Sequence, residues 1–425
     1  MKTILLMLDG LGDRPQKELE WKTPLEAALT PNLDTLCRMA ETGMLIPWRQ
    51  GVPLGTEAAH FVMLGYDMDD FPDRGVIHAL SMGEALEEDM VYLVTTWAWV
   101  EATTTEYRII ERNVAHLTPA ESDKLAEALP REIDGYAFTW KLGKSPHGVL
   151  KIHKNGISGS ISDSDPFYPD RSVMEVLPFE TDDPEAASSA RALNRYLNTM
   201  YDRLVQHPVN QQRREKGLQP ATMLLTKWCG MKPPIEPFHI RNGMSSLLLG
   251  QSTLMEGIAA LLRMKYQSYE SVAEAVDTAL KAEADYVHIH TKRTDDAAHT
   301  KNPLNKVRVL EEIDEELGRL VHAAGSREHL IIVTGDHTTP SCGELIHAGD
   351  SVPILFCGSP VRPDAVEAFG ERSCATGSLR ITGSDLMPMI LNYTERAIFY
   401  NFRPGSVRRL YIQTEVPLLN PTISP

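Results

Sequence analysis

The run Thr3-Ile-Leu-Leu-Met-Leu8, closed by Asp9, decides how this chain folds. An uninterrupted apolar run of this length fits a strand buried on both faces, the mark of a parallel sheet covered by helices. The construction returns at Leu330-Ile-Ile-Val-Thr334, which is followed by Asp336-His337. Between the two, helical and strand-like patterns alternate. Helices are predicted over about Glu185–Gln206, Thr253–Met264, Ser268–Ala284 and Leu304–Ala324. Strands are predicted at Thr222–Thr226, Ser246–Leu249, Tyr286–His290, Leu330–Thr334 and Pro353–Cys357. Such alternation predicts an α/β fold with a mostly parallel sheet sandwiched by helices.

Nearer the start, helical spacing runs from Pro24 to about Thr42, with Pro31 interrupting or restarting it. A second helix is predicted from Thr56 to Leu64, ended by Gly65. The character changes over residues 81–184. Met90–Glu101 is aromatic and β-branched, Glu106–Glu111 reads as its hairpin partner, and Tyr136–Leu142 and Val149–His153 read as further strands. The expected organisation is therefore a catalytic domain made of residues 1–80 and 185–425, interrupted by a smaller inserted α+β domain at 81–184.

Composition narrows the function classes. Hydrophobic residues make up 42% and charged residues 24% of the 425, as in an ordinary globular protein. The net charge of −16 argues against nucleic acid or an anionic membrane as partner. No stretch reaches the length of a membrane span, and no signal peptide is read at the start. The five cysteines are scattered without a CxxC pair, which fits reduced thiols and a cytoplasmic location.

The chemistry lies where strands end, because open parallel sheets collect ligands at the carboxyl ends of their strands. Asp9, Asp336 and His337 stand there. His290 closes another run, followed by Asp295 and His299, which one helical turn places on one face. His347 follows in His-Ala-Gly-Asp. One such Asp is commonly a turn or cap residue, and one such His a satisfied core residue. The joint set of carboxylates and imidazoles suits two Mn²⁺ or Zn²⁺ ions, with no organic cofactor. Two ions about 3.5–4 Å apart can clamp the attacking and leaving oxygens of a phosphoryl group. Thr56 is the candidate nucleophile. Its structural role is an N-cap with Glu57 in the first turn, and a hydroxyl at a helix start also suits a phosphate.

Several stretches together resemble the archaeal-type cofactor-independent phosphoglycerate mutases of the alkaline phosphatase superfamily. They are Asp9-Gly-Leu-Gly-Asp13, Thr23-Pro-Leu-Glu-Ala-Ala-Leu-Thr-Pro-Asn-Leu-Asp34, Leu64-Gly-Tyr-Asp67, His207-Pro-Val-Asn210, Asp295–His299, Val333-Thr-Gly-Asp-His-Thr-Thr-Pro340 and His347-Ala-Gly-Asp-Ser-Val-Pro353. The resemblance implies an alkaline-phosphatase-like fold, with one metal on Asp9, Thr56, Asp336 and His337 and a second on Asp295, His299 and His347. It implies interconversion of 2- and 3-phosphoglycerate through a phosphothreonine, with the insert covering the substrate.

The chain also departs from the family pattern. Gly55-Thr-Glu-Ala-Ala-His60 stands where the family has Gly-Ser-Asp-Thr-Ala-His. Leu93, Asn113, His116, His147 and Lys227 stand where it tends to carry arginine. These changes motivate a second reading, a hydrolase or transferase acting on another phosphoester or a phosphonate. A third is a metal-binding homologue without catalysis. The expected anion contacts are Arg112, Lys227 and Lys292, joined by Arg74 and Arg171. Asp163 and Asp165 are read as a rim of the substrate cleft. The partner is a small anionic phosphoester or phosphonate, and the oligomeric state is left open.

Overall fold

The structure is a computed structural model describing residues 1–143, 147–167 and 171–419. The chain forms two compact units, one of Met1–Phe71 with Ile235–Pro425, the other of Pro72–Pro234.

The first unit is built on an eight-stranded sheet. Its strands lie in the order Lys265–Gln267, Ser246–Leu249, Tyr286–Thr291, Lys2–Leu8, His329–Thr334, Val352–Cys357, Glu41–Ile46 and Leu379–Thr382. Lys2–Leu8 is central and pairs in parallel with Tyr286–Thr291 and His329–Thr334. Its residues from Thr3 onward are buried, as the apolar run requires. Only Val352–Cys357 runs antiparallel to its neighbours. The core of this unit joins Ile4, Leu6 and Leu8 to Val287, Ile289, Ile331, Val333 and Leu355, beneath helical residues such as Val276 and Leu310.

The early helical stretch is three elements. Pro24–Ala27 and Pro31–Cys37 are short helices, and Glu41–Ile46 is a strand. The first opens with a capping box, in which Thr23 accepts from Glu26 N–H and Glu26 answers the Thr23 N–H. The predicted Leu304–Ala324 helix is two, Pro303–Glu315 and Gly318–Ser326.

The second unit carries a six-stranded sheet of its own. Met90–Ala102 pairs antiparallel with Tyr107–Glu111, His147–His153 and Met223–Met231. Tyr136–Leu142 and Glu132–Ile133 complete it. The compact units break elsewhere than the sequence pattern suggests. The strand at 223–231 belongs here and not to the parallel sheet, since Trp97 and Ala98 pair with Leu224 and Met223. The helix Pro184–Leu204 packs its Leu193, Tyr196 and Met200 into this unit's core with Leu93, Phe138 and Ile152. So residues 72–80 and 185–234 group with the insert. Among the described residues, no helix is long and apolar enough to cross a membrane.

Candidate metal centre

Asp9 is fully buried just past the end of Lys2–Leu8, and its N–H donates to the Thr291 carbonyl at 3.1 Å. Its Oδ2 lies 3.1 Å from His290 Nε2, and its Oδ1 3.2 Å from His337 Nε2. Burial raises its pKa, but hydrogen bonds from His290 and His337 overcome this and hold the carboxyl well below the usual range. Asp336 is equally buried past His329–Thr334. Its Oδ1 accepts the N–H of Gly10 at 2.9 Å and of His337 at 3.0 Å. Its Oδ2 is buried and accepts no hydrogen bond.

Thr56 stands at the first turn of the helix Thr56–Met63 but does not cap it. Gly55 is the N-cap, and no side-chain cap bond forms. The Thr56 hydroxyl instead turns to the acids, 3.4 Å from each Asp9 carboxylate oxygen and 3.2 Å from His337 Nε2. One turn on, His60 Nδ1 donates to the Thr56 carbonyl at 2.7 Å.

The second ligand group gathers beside the first. Asp295 and His299 sit on one face of the short helix Arg293–His299, with Asp295 Oδ2 3.2 Å from His299 Nε2. His347 Nε2 lies 3.6 Å from Asp295 Oδ1. His347 Nδ1 donates to the Leu54 carbonyl at 2.6 Å, which leaves Nε2 as a bare lone pair. Burial, with His337 adding to it, pushes the His347 pKa down to about 4, so this imidazole is neutral at pH 7. The His337 and His347 rings stack at 3.9 Å, bringing the two groups together. Thr339 links them: its hydroxyl donates to Asp295 Oδ1 at 2.7 Å and lies 3.1 Å from His337 Nδ1. Gly10, at φ +63°, passes so close that a Cβ would meet Thr339 Oγ1 at 2.5 Å.

Among the described residues three metal-ready trios follow from this placement, His60–His290–Asp336, Asp295–His299–His347 and Asp9–Asp295–His337, each with ligand atoms within 4.8 Å of one another. The fit to cations rests on Asp336. Burial and the Asp9 charge push its pKa up to about 7, and its Oδ2 makes no hydrogen bond, with His337 Nε2 at 3.4 Å and His60 Nδ1 at 3.6 Å as its nearest partners. A buried carboxylate oxygen without a donor is costly unless a cation meets it. Lys292 supplies part of the balance, 2.7 Å from Asp295 Oδ2 and 3.4 Å from Asp9 Oδ2. Both carboxylates hold its ammonium above the usual lysine pKa despite burial.

The other expected anion contacts fall in the second unit. Arg112 grips Asp165 with two bonds of 2.7 Å, and Lys227 Nζ reaches the same carboxylate at 3.1 Å. Lys227 is 2% exposed, and burial lowers its pKa to about 8. Its ammonium lies 4.6 Å from the Trp228 ring and 5.3 Å from Phe167, while Arg74 stacks on Trp228 at 4.5 Å. Asp163 accepts the Trp228 N–H at 2.8 Å. Phe167 and Trp228 both hold positive φ, 65° and 54°, which sets their rings beside Lys227. Arg171 is exposed, its carbonyl accepting from Ile109. Leu93 is a core residue paired with Leu150.

Sequence reasoning missed His60, Thr339, Phe167 and Trp228 as members of these clusters. The helical spacing from Thr56 to His60 was the available signal for the first. Nothing in sequence marks a positive φ at an aromatic residue.

The chain matches the model of the metalloenzyme superfamily over residues 1–393. It is 44% identical to 2,3-bisphosphoglycerate-independent phosphoglycerate mutase 2 of Methanocaldococcus jannaschii, covering 99% of this chain and 100% of that protein. It is 33% identical to 2,3-bisphosphoglycerate-independent phosphoglycerate mutase of Picrophilus torridus, over 93% of this chain and 98% of that one. Among solved structures it is similar to cofactor-independent phosphoglycerate mutase from Thermoplasma acidophilum, with a TM-score of 0.64, 29% identity, and coverage of 92% and 99%. A protein from Pyrococcus horikoshii superposes with a TM-score of 0.76 at 28% identity, over 94% of this chain and 99% of that one.

Proposed function

Because the chain belongs to the metalloenzyme superfamily and, within it, to the 2,3-bisphosphoglycerate-independent phosphoglycerate mutases, we propose that it interconverts 2- and 3-phosphoglycerate through a phosphothreonine at Thr56. The observation that carries this reading is the Thr56 hydroxyl, in the first turn of its helix and directed onto Asp9 and His337.

Asp9, Thr56, Asp336 and His337 would hold one divalent cation, and Asp295, His299 and His347 another. The donor set of oxygens and imidazoles favours Mn²⁺ or Zn²⁺. When bound, such cations lower the pKa of a coordinated hydroxyl and offset the charge of a phosphoryl group. Thr56 Oγ gives up its proton and forms the bond to phosphorus, and the ester oxygen leaves with the bonding pair and takes up a proton. The phosphoryl group then passes from Thr56 to the other hydroxyl of the retained glycerate. His60, bonded to the Thr56 carbonyl, fixes the backbone of the nucleophile through the cycle. Substrate recognition falls to Arg112, Lys227 and Arg74, with Asp165 ordering the first two. Asp163, on the Trp228 N–H, orders the strand Met223–Met231 that carries Lys227. The reaction belongs to sugar breakdown in the cytoplasm, where free thiols such as those of all five cysteines persist.

One observation favours a second reading. Where the family tends to carry arginines, this chain has the core residue Leu93, and His147, whose Nδ1 lies 2.9 Å from Thr96 Oγ1. Neither offers a forked donor to an acid. A hydrolase or transferase on another phosphoester or a phosphonate would tolerate those losses. Phosphorus NMR with Mn²⁺ and 3-phosphoglycerate separates the two. The mutase gives 2-phosphoglycerate without free phosphate; release of phosphate, or no turnover at all, defeats it.

A further inference from the structure

Residues 394–419 continue past the end of the family match, yet they are fixed firmly on the first unit. Arg409 makes a two-pronged pair with Glu236, at 2.7 and 2.9 Å. Tyr411 donates to the Ile240 carbonyl at 3.0 Å, and its ring covers Gly243, where a Cβ would meet it at 2.3 Å. The segment also pairs with itself, Ile398 N–H on the Leu410 carbonyl and Ile412 N–H on that of Arg396.

This anchored segment nonetheless turns apolar side chains outward. Phe399 is 79% exposed, Tyr400 65% and Phe402 64%, with Val407, Leu410 and Ile412 around half exposed. Scattered apolar residues on a surface are ordinary, but a contiguous run of aromatics on a fixed backbone marks an interaction face. Aromatics with arginines are the residues that interfaces concentrate. The segment holds four arginines against two glutamates, in a chain of net charge −16; Arg396 pairs with Asp285 and Arg409 with Glu236, so Arg403 and Arg408 supply its outward positive charge.

The complement to that basic face lies next to it. Arg408, Arg409 and Leu410 share a cavity of about 300 Å³ with Tyr66, Asp67 and Arg241. Asp67 opens the acidic turn Met68–Asp70, in which Asp69 and Asp70 are exposed. Among the described residues Arg408 has no carboxylate partner; it bonds the Tyr400 hydroxyl at 2.7 Å. A patch with a basic aromatic half beside an acidic half is self-complementary across a two-fold axis. The acidic chain as a whole repels nucleic acid and so disfavours that partner.

We propose that this face docks a second copy of the chain, the 394–419 segment of each protomer meeting the Asp67–Asp70 turn of the other. Sedimentation velocity on the full, metal-loaded protein tests it. The wild type is expected to be a dimer that weakens with salt. Arg403→Glu with Arg408→Glu is expected to raise the dimer dissociation constant about tenfold or more. Adding Asp69→Lys with Asp70→Lys to that variant is expected to restore association. Phe399→Ser with Phe402→Ser should dissociate the dimer without touching charge, at unchanged activity per chain. A monomeric wild type, or a dimer indifferent to both the charge and the aromatic variants, overturns the proposal.

Discussion

Thr56 sits 3.4 Å from both oxygens of Asp9 and has no capping duty, so its hydroxyl is spared for chemistry. Thr56→Ser keeps the oxygen and is expected to retain turnover. Thr56→Ala is expected to lower kcat by roughly 10³-fold or more, with the melting temperature nearly unchanged, measured by coupled assay and calorimetry. Lys227 gives a second expectation. Its ammonium, depressed to about 8 by burial, is charged below that pH and neutral above it. KM for an anionic substrate therefore rises as pH passes about 8, and Lys227→Arg removes the inflection in a KM–pH profile. The same depression bears on stability. The unfolded chain, with lysine near 10.5, holds more protons between about 8 and 10.5, so this residue's contribution improves as pH rises through that window. At this scale the clustering of acids and histidines was legible in the sequence, and the residues that support them were not. Asp9, Asp336 and His337 are legible because a strand end fixes where a residue points. Phe167 and Trp228 are not, because their placement depends on backbone strain that only the folded chain displays.

Among the elements, Lys306 shows what holds the ligand loops in register. It is fully buried on the helix Pro303–Glu315 and donates to the Gly12 carbonyl, Asp13 Oδ2 and the Thr339 carbonyl, at 2.9, 3.1 and 3.0 Å. One ammonium thus joins the loop after Asp9 to the loop after His337. Lys306→Met strips that link and leaves Asp13 buried with less compensation. The expected cost is about 3–5 kcal/mol by denaturant titration, with weakened metal binding. The pattern of strands and helices was readable from the apolar runs, and the parallel core follows it closely. Two of the misreadings have physical reasons. Glu41–Ile46 follows a helix so closely that helical spacing absorbs its Thr42. Met223–Met231 is buried nearly throughout, and such a run fits the middle of either sheet, so the unit it joins is set by pairing with Met90–Ala102.

At the level of the whole molecule, the two units have separate hydrophobic cores and separate sheets. All the proposed cation ligands lie in the first. Calorimetry is therefore expected to resolve two unfolding transitions, with Mn²⁺ raising one and leaving the other in place; a ligand stabilises only the part whose folded form binds it. A single transition that moves as a whole would contradict this. One further property is set by the strand that runs antiparallel to its neighbours in the first unit's sheet. Because Val352–Cys357 runs back beside His329–Thr334, the chain leaves and re-enters the sheet at the same end, the carboxyl end of His329–Thr334. That single excursion carries Asp336 and His337, proposed for one cation, and His347, proposed for the other, with the His337 and His347 rings stacked. Ordering the excursion around the first ion prepares it for the second, so titration with Mn²⁺ should climb with a Hill slope above one. His347→Ala should flatten that slope while halving the bound metal, and independent filling of the two positions in the wild type would show that the excursion does not couple them.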